Sequence, residues 1–597
     1  MTALARSLGG GPGRISENGM RVLEARYLRR DPEGKIVETP AQLFERVARA
    51  IAGAELLHGT AADARFWEER FHRMMASLDF LPNSPTLMNA GTSLGQLSAC
   101  FVLPVEDTME SIFGTLRDAA LIQRTGGGTG FSFSRLRPAG DVIASTGGKS
   151  SGPVSFMRIY DCATENIKLG GRRRGANMGV LRVDHPDIEE FVQAKRDGVS
   201  FRNFNISVGA TDEFMSAVES GGNLGLRHPA HGRVVRSVPA RQLFDEICEA
   251  AWATGDPGLI FLDTIARANP VPGAGQIEAT NPCGELPLLP YESCNLGSIN
   301  LVHFVRLDKG RAEVDYERLR TQVHDAVRFL DDVISANRFP LQQIAAATLA
   351  NRKIGLGVMG FAELCILLDI SYASAAAVQL AGSLMEFIAR EARLASAQLA
   401  GQRGVFPNWS ASIYAPGGLR LRNATQTSIA PTGTISIIAG TSSGIEPLFA
   451  LAYRRHVLGG QVFAELNPLL LRRLECLRQD TSQLARKIAS TGRLGAEIPG
   501  SGLYITALEI PAEQHLRVQA AFQRHVDNAV SKTINLPAEA TPGDVAKAYR
   551  LAYELGCKGV TVFRYGSKSE TMLELGLEET PEQREHFAKC DPEACRL

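Results

Sequence analysis

Apolar side chains recur at three- and four-residue intervals in the first eighty residues, which is the spacing that one buried face of a helix requires. Leu43, Val47 and Ile51 follow the segment Thr39–Gln42, whose threonine, proline and glutamine are typical of a capped helix start. A second helix is predicted from about Asp63. Its predicted apolar side comprises Phe66, Phe71, Met74, Met75 and Leu78.

Later in the chain, short continuous apolar runs alternate with helical spacing. The runs that predict buried strands are Ala99–Leu103, Thr427–Ala430 and Gly559–Phe563. Helices are predicted after Asp107-Thr108, with Met109, Ile112 and Phe113 facing inward, after Pro153, at 319–334 and at 374–400. A glycine run, Gly126–Gly130, predicts a tight flexible turn. Alternating strands and helices predict an α/β fold with largely parallel strand pairing.

These patterns divide the chain into three parts. We predict a small N-terminal helical domain (residues 1–81), whose first 38 residues are irregular, a main α/β domain (residues 82–568) and an acidic, mobile C-terminal tail (residues 569–597).

Composition narrows the possible partners. Lys plus Arg and Asp plus Glu are equal at 64 each, so the formal net charge is zero, and neither a nucleic-acid polymer nor an anionic membrane is expected as a partner. No apolar run is long enough to cross a membrane. Ten cysteines in 597 residues, without repeated spacing, are typical of a reduced compartment, so we expect a cytoplasmic protein.

The most informative stretch is a proline-punctuated loop, Asn281–Pro287, followed by Tyr291–Gly297. The prolines and glycines predict a rigid loop that carries the carboxamide of Asn281, the thiol of Cys283 and the carboxylate of Glu285. Such a loop holds three reactive groups at one point. The alternative is a plain turn with a cysteine buried as a small hydrophobe.

Three other motifs suggest phosphate binding. Pro431–Ser436 follows a predicted strand and combines free backbone N–H groups with hydroxyls, and Ser84 offers a further hydroxyl, although an ordinary capped turn is the alternative. Gly148-Lys149-Ser150 is only an incomplete P-loop ending, and Arg172–Arg174 is either a solvated face or a basic loop over a nucleotide. Gly355–Gly360 matches the dinucleotide fingerprint but lacks its preceding strand and distant acid, so a dinucleotide site is disfavoured.

The chain ends with two cysteines, Cys590 and Cys595, in the acidic tail. A zinc half-site would need two further ligands nearby, and no metal site is predicted. A dithiol on a tether suits thiol–disulfide exchange.

Taken together, these motifs resemble the ribonucleotide reductases, and specifically the adenosylcobalamin-dependent class II. The similarity rests on Ser98–Pro104, Asn281–Glu285, Ser293–Gly297, Pro431–Ser436 and the Cys590/Cys595 tail, and it extends from about Pro82 to the C-terminus. The family fold is a ten-stranded α/β barrel of two parallel five-stranded halves with a central finger loop. The resemblance therefore implies that residues 82–568 form this barrel and that Cys283 lies at the tip of the finger.

The resemblance also implies roles for individual residues. Cys283 would carry a thiyl radical, Glu285 would be the general base, Asn281 would bind the sugar, and Cys100 and Cys294 would supply the reducing equivalents. Cys590 and Cys595 would then reduce the resulting disulfide and be restored by a thioredoxin-like protein. The implied substrate-binding residues are Ser84, Ser98, Ala99, Thr432, Gly433, Thr434, Ile435 and Ser436.

The family further implies a ribonucleoside diphosphate substrate, a deoxynucleoside triphosphate effector and a homodimer whose interface holds the effector. The implied effector-binding residues are Asp107, Arg137, Lys149, Arg172 and Arg173. The region Val560–Gly566 lacks the adjacent tyrosine pair of class I large subunits, which favours class II and its adenosylcobalamin. A class I-like subunit with a separate radical-generating partner and a non-catalytic nucleotide sensor remain the alternatives.

Overall fold

The computed structural model describes residues 13, 15–143, 147–169, 173–457, 461–467, 469, 470, 488, 494, 500–567 and 573–575. Arg172, Cys590, Cys595 and the predicted tail (residues 569–597, apart from 573–575) lie outside the described residues.

Seventeen α-helices are present in the described part of the chain. They are α1 Glu17–Arg26, α2 Pro40–Ala52, α3 Ala61–Ala76, α4 Ser84–Asn89, α5 Met109–Arg124, α6 Gly152–Asn166, α7 Ile188–Gln193, α8 Asp212–Ser220, α9 Ala240–Thr254, α10 Leu262–Arg267, α11 Tyr316–Ala336, α12 Gln342–Asn351, α13 Phe361–Leu367, α14 Ala375–Arg403, α15 Ile435–Ala439, α16 Ala512–Gln523 and α17 Pro542–Glu554. Short 3₁₀ turns lie at Gly53–Leu57, Pro272–Ala274, Leu301–His303, Pro407–Ala411, Ser501–Leu503 and Ala507–Glu509.

The strands in the described residues are β1 Phe80–Pro82, β2 Cys100–Pro104, β3 Gly128–Ser132, β4 Lys168–Leu169, β5 Arg173–Arg174, β6 Asn177–Arg182, β7 Phe204–Ala210, β8 Asn223–Arg227, β9 Val234–Pro239, β10 Gly258–Phe261, β11 Ala279–Thr280, β12 Pro287–Leu288, β13 Ser293–Asn300, β14 Val305–Asp308, β15 Arg311–Val314, β16 Ile354–Met359, β17 Ala452–Val457, β18 Gln461–Leu466, β19 Thr533–Leu536, β20 Gly559–Arg564 and β21 Leu573–Leu575.

Two parallel sets of strands form a closed barrel. In the first set, β2, β3, β6, β7 and β10 pair in parallel in that order. In the second, β13 pairs in parallel with β16, and β19 pairs in parallel with β20. The two sets meet at antiparallel seams, β2 against β13 and β10 against β20. Closure removes the free sheet edges that would otherwise invite aggregation.

The tenth strand of the barrel is reduced to single bridges. Thr427 pairs in parallel with Leu356 of β16, and Ile429 pairs in parallel with Val530 just before β19. The predicted strand Thr427–Ala430 therefore occupies the expected place between β16 and β19, but with too few ladder bonds to form a regular strand. The predicted barrel of two five-stranded halves is confirmed.

A hairpin fills the centre of this barrel. β11 and β12 pair antiparallel, with Thr280 opposite Pro287. A Cβ on Gly130 of β3 would lie 1.8 Å from the Thr280 carbonyl oxygen, so only glycine allows the hairpin to pass. The prediction of a flexible turn at Gly126–Gly130 is thus wrong for its second half: these glycines make room for the finger.

Two further segments can be compared with the sequence: Gly355–Gly360, where a dinucleotide site is disfavoured, and the helix after Thr108, whose predicted inward face needs correction. Gly355–Gly360 is not a phosphate turn: its first five residues belong to β16, where a Cβ on Gly357 would lie 2.3 Å from the Ser428 carbonyl oxygen. Met109 and Phe113 do not face inward but are exposed on α5.

The N-terminal helices agree with their sequence signals in most respects. Thr39 caps α2 and Gln42 completes the capping box. Phe71 and Met75 of α3 are buried, whereas Phe66 is exposed. The segment before residue 38 is not wholly irregular, because it contains α1. Among the described residues, no helix is long and apolar enough to span a membrane.

Candidate active site

The finger is the hairpin β11–β12, and its tip is a tight turn held closed by hydrogen bonds of Asn281. The Asn281 N–H donates to the Leu286 carbonyl (3.2 Å), and the Leu286 N–H donates to Asn281 Oδ1 (3.0 Å). Gly284 adopts φ 81°, a left-handed conformation that favours glycine, and its N–H donates to the Asn281 carbonyl (3.0 Å). Cys283 is thereby held at the apex of the turn.

Hydrogen bonds from the barrel wall fix the position of this apex within the barrel. The Asn205 side-chain amide of β7 donates to the Pro282 carbonyl at 2.7 Å. On the opposite half of the barrel, the Ala529 N–H (2.9 Å) and the Ser428 hydroxyl (3.0 Å) donate to the Glu285 carbonyl. Because both halves bind the finger, its apex cannot shift without breaking bonds to either one.

Cys283 opens onto a cavity of about 1120 Å³. The thiol is exposed to this space, whereas Pro282 before it is buried and Gly284 after it is half-buried. The cavity is lined by Pro282–Gly284, by Pro431, Gly433 and Ser436, and by residues of β10 and β20. A reactive thiol therefore faces a space large enough for more than one small ligand.

Glu285 lies behind the thiol as a buried acid. Its side chain is 2% exposed, and Oε2 has no hydrogen-bond partner among the described residues. Burial raises the pKa of Glu285 from 4.5 to about 7, partly offset by a hydrogen bond from Asn281. A carboxylate with this pKa can accept a proton near neutral pH, as a general base must.

Cys100 and Cys294 lie directly opposite each other at the β2–β13 seam. Opposed antiparallel residues have Cα atoms roughly 4.5–5.5 Å apart, which is within the range for a disulfide. Both are thiols here and both are buried, and burial raises the pKa of each thiol. Asn281 Nδ2 contacts Cys100 Sγ at 3.0 Å, so this cysteine pair touches the finger.

The turn at residues 431–436 forms part of the cavity wall. Thr432 has φ 55°, which is strained for a threonine, and its hydroxyl accepts from the Gly444 N–H at 2.7 Å. The Ser436 hydroxyl is 3.1 Å from the Ser443 hydroxyl. Gly433 and Ser436 line the cavity, whereas Ile435 is buried in the core.

The other predicted substrate residues have protein partners. Ser84 Oγ is 2.7 Å from Tyr27 Oη. The buried Ser98 hydroxyl accepts from Ser293 Oγ (3.2 Å) and from Asn337 Nδ2 (2.9 Å). Ala99 is partly buried and packs against the hydrophobic cluster around Cys100.

One basic residue at this site was missed from the sequence. Arg26, at the end of α1, donates to Thr434 Oγ1 at 3.4 Å, which places a guanidinium beside the turn at residues 431–436. No local motif marks Arg26, because its position depends on the packing of α1 against α15. The N-cap of α1, Ser16, also lines the cavity.

Three of the predicted effector residues, Asp107, Arg137 and Lys149, do not line this cavity. Arg137 Nε pairs with Asp107 Oδ2 at 2.7 Å, and the Arg137 N–H also donates to Asp107. Lys149 is exposed and bridges to Val142 across a loop. Arg173 lies in β5 of a two-stranded ribbon with β4.

Comparison with protein families accounts for this architecture. The family model described as "Ribonucleotide reductase, barrel domain" matches residues 98–422 and 418–563. The model described as "Ribonucleotide reductase, all-alpha domain" matches residues 14–95. The chain belongs to the ribonucleotide reductase family. The resemblance stated from the motifs is thus confirmed at the level of the family.

Curated reductases from distant organisms are similar over nearly the whole chain. A protein of Mycobacterium tuberculosis (strain CDC 1551 / Oshkosh) named "Vitamin B12-dependent ribonucleoside-diphosphate reductase" is 53% identical, covering 94% of this chain and 81% of that protein. A protein of the same name from Thermoplasma acidophilum is 48% identical, covering 96% and 82%.

A solved reductase shows the same fold. The Actinobacillus ureae class Id ribonucleotide reductase alpha subunit aligns with a TM-score of 0.75 at 23% identity, covering 93% of this chain and 99% of that one. At this identity the likeness supports the fold alone.

Proposed function

We propose that this protein is an adenosylcobalamin-dependent ribonucleoside-diphosphate reductase that makes deoxyribonucleotides for DNA synthesis and repair. The observation that carries the proposal is the position of the Cys283 thiol, held at the apex of the finger in a large cavity. Glu285 and the opposed pair Cys100 and Cys294 lie directly behind it. The names of the relatives at 48% and 53% identity support the choice of cofactor and of substrate.

The cavity has room for a nucleotide together with part of a large cofactor. Its volume of about 1120 Å³ exceeds that of most single-ligand pockets, which are about 300–1,000 Å³. The wall formed by β10 and β20, with Leu259, Ile260 and Val560, would hold the cofactor beside Cys283. When bound, adenosylcobalamin supplies radical chemistry that removes a hydrogen atom from a thiol.

The side chains then have separate tasks. Cys283, as a thiyl radical, takes the 3′-hydrogen of the ribose, and Glu285 accepts the proton of the 3′-hydroxyl. Asn281 positions the tip and bonds the sugar. The 2′-hydroxyl leaves as water, while Cys100 and Cys294 give up two electrons and two protons and become a disulfide. Cys283 then returns its hydrogen atom to C3′, which completes the deoxyribonucleotide and restores the thiyl radical.

The substrate phosphates are assigned to the turn at residues 431–436. Gly433 and Ser436 line one end of the cavity, and the neighbouring Thr434 hydroxyl accepts from Arg26, whose positive charge would help to bind phosphate. Ser84, Ser98 and Ala99 complete the proposed substrate-binding set.

We assign the effector and the dimer to one surface. The exposed apolar side chains Met109 and Phe113 of α5 and Ile159 of α6 suit a helical interface with a second copy of the chain. Asp107 and Arg137 lie next to α5 and would bind a deoxynucleoside triphosphate there. Lys149, Arg172 and Arg173 belong to the same proposed effector site.

The reducing equivalents are assigned to a thioredoxin-like protein acting through Cys590 and Cys595. We place the protein in the cytoplasm, where such reductants keep thiols reduced.

The deciding experiment is a reaction with the purified chain alone. Adenosylcobalamin, dithiothreitol, a ribonucleoside diphosphate and each deoxynucleoside triphosphate in turn should give the deoxyribonucleotide in the dark. Omitting adenosylcobalamin should abolish the product. Product that appears only after a second protein is added would establish the class I-like alternative. No product under either condition would favour the nucleotide sensor.

A further inference from the structure

A second loop lies behind the turn at residues 431–436 and bonds to it. We call this loop, Thr441–Glu446, the bracket. The Ser443 hydroxyl lies 3.1 Å from the Ser436 hydroxyl, and the Gly444 N–H donates to Thr432 Oγ1 at 2.7 Å. Thr432 is the residue with the strained φ of 55°, so its bond to the bracket helps to hold the turn in a shape that a free loop would not adopt. The shape of the turn therefore depends on the position of the bracket.

A buried carboxylate on α13, Glu363, holds the first end of the bracket. The Ser442 N–H donates to Glu363 Oε1 at 2.9 Å, and the Ser442 hydroxyl donates to Oε2. The Thr441 hydroxyl also donates to Oε2, at 3.3 Å. The Glu363 side chain is only 7% exposed, and both of its oxygens are used by the bracket. The mechanism proposed above gives this acid no task.

The far end of the bracket is held by different elements. Glu446 accepts from Lys532 Nζ (2.6 Å) and from the Thr533 N–H of β19 (2.7 Å). The buried Tyr372 hydroxyl donates to the Ile445 carbonyl at 2.6 Å. The bracket is thus fixed at both ends, and the two residues that bond to the turn lie between these fixed points.

Glu363 is suited to hold the bracket because of where its bonds go. It lines the cavity, as do the bracket and the turn, but its hydrogen bonds go to the bracket and not to the turn. Burial raises the pKa of Glu363, and the bonds from Ser442 and Thr441 oppose this rise. A buried acid bonded in this way acts on the turn through the loop that it holds.

We infer that Glu363 is a positioning residue for the substrate phosphates: it fixes the bracket, and the bracket fixes the turn at residues 431–436 in the shape that binds them. This inference rests on the proposed function, which assigns the phosphates to that turn. Hydroxyl and N–H donors bind an anion well only when they are already aimed at one place, so a displaced bracket weakens binding. The loss should fall on the phosphates and not on the base or the sugar.

Three substitutions of Glu363 separate hydrogen bonding from charge. Glu363→Gln removes the charge but keeps the bonds, since its oxygen accepts from the Ser442 N–H and its amide donates to the two hydroxyls. Glu363→Met has a similar volume and removes every acceptor. Glu363→Asp keeps the charge on a shorter side chain that does not span the same distance, and it replaces Glu363→Met if that variant does not fold. The matched control is Glu391→Met, which removes a buried, hydrogen-bonded carboxylate of α14 outside the cavity.

The measurement is the contribution of the phosphates to affinity. The dissociation constants of a ribonucleoside diphosphate and of the same ribonucleoside without phosphates are measured on the full-length protein, with a deoxynucleoside triphosphate present. The ratio of the second constant to the first gives that contribution. We expect this ratio to fall about tenfold in Glu363→Met, the effect of one lost hydrogen bond to a charged group, and to fall in the same direction in Glu363→Asp. Glu363→Gln should keep the wild-type ratio.

The control distinguishes positioning from support of the fold. Glu391→Met should lower Tm and leave the ratio unchanged. A Glu363→Met variant that also loses only Tm would overturn the inference, and so would a ratio that falls as far in Glu363→Gln as in Glu363→Met. The same wild-type preparation is assayed for turnover, so a failure of the proposed function appears as absent product, independently of the ratio.

Discussion

At the scale of single residues, the site depends on one acid whose charge is unfavourable in the folded protein. Glu285 is buried, and its Oε2 has no hydrogen-bond partner among the described residues. Burial raises its pKa, and a hydrogen bond from Asn281 offsets only part of that rise. Burial that makes this carboxylate a base near neutral pH also makes its ionised form costly to the fold. The burial that would suit Glu285 to act as a base therefore lowers the stability of the folded protein when Glu285 is ionised.

The first prediction concerns the pH dependence of Glu285. Because its pKa is raised to about 7, the carboxylate is ionised only above that pH. We expect kcat/KM of the wild-type protein to fall as the pH drops below about 7, whereas Glu285→Gln should be about 10²–10⁴-fold less active above pH 7 and should lack this acidic limb. A pH–rate profile with a single-turnover assay measures both. An acidic limb near pH 4.5 would contradict the raised pKa.

The same residue gives a prediction of stability. A carboxyl group whose pKa is higher in the folded than in the unfolded chain favours folding below pH 4.5, and this contribution is lost as the pH rises to about 7. Glu285→Gln should therefore raise Tm relative to the wild type at pH 8, and much less at pH 5. Thermal unfolding at the two pH values tests this, and a variant that is destabilised equally at both would refute it.

A third prediction concerns the thiols. Cys283→Ala should abolish turnover completely, because no other described thiol opens onto the cavity beside the finger tip. Cys248→Ala, on the buried face of α9, is the matched control and should retain activity. Measurable turnover in Cys283→Ala would contradict the radical role of this residue.

At the scale of elements, the finger and the glycines around it determine the geometry. The hairpin β11–β12 passes so close to β3 that a side chain at Gly130 has no room. Sequence periodicity indicates neither this contact nor the strand character of β3, because both depend on a partner about 150 residues away in the sequence. The sequence does predict the rigid loop itself, from its prolines, and the capped helices α2 and α14.

The prediction at this scale is a pair of glycine substitutions. Gly130→Ala would place its Cβ 1.8 Å from the Thr280 carbonyl oxygen, so the finger must move and activity should fall by 10²-fold or more. Gly382→Ala, in the interior of α14 with open space around it, should instead stabilise the protein by about 0.5–1 kcal/mol. Steady-state kinetics and urea unfolding distinguish the two. Unchanged activity in Gly130→Ala would contradict the close packing of the finger.

At the scale of the whole molecule, a buried charge network joins the N-terminal helices to the barrel. Arg403 at the end of α14 binds Asp331 (2.9 Å) and Asp332 (2.6 Å) of α11 and reaches Glu55 (2.7 Å) in the N-terminal region. Arg328 forms a second salt bridge with Glu55 (2.6 Å). The amino-acid pattern does not predict this network, since isolated charges on a helix are usually solvated.

The family and the barrel were predictable because the cysteine, finger and phosphate-turn motifs are local and ordered along the chain. The role of α1 was not, because a short polar helix without a motif acquires its place, and that of Arg26, only by packing on α15. For the same reason the sequence did not indicate the contact between Glu363 and Ser442: the two residues are 79 positions apart and meet where α13 packs against the bracket.

The last prediction tests the charge network. Arg403→Met leaves three buried carboxylates without their shared cation, and the free energy of unfolding should fall by about 3–5 kcal/mol. Arg517→Met removes an exposed helix pair with Glu513 and should cost less than about 1 kcal/mol. Urea denaturation measures both, and a similar small loss in each would show that the network does not hold the molecule together.

The seam between β2 and β13 has a mechanical consequence. Cys100 and Cys294 face each other where the two parallel halves of the barrel meet, so the proposed disulfide would cross-link the two halves at that seam. Each catalytic cycle would form and remove one covalent cross-link between the two halves of the barrel, whereas the second seam, β10 against β20, is held by its strand pairing.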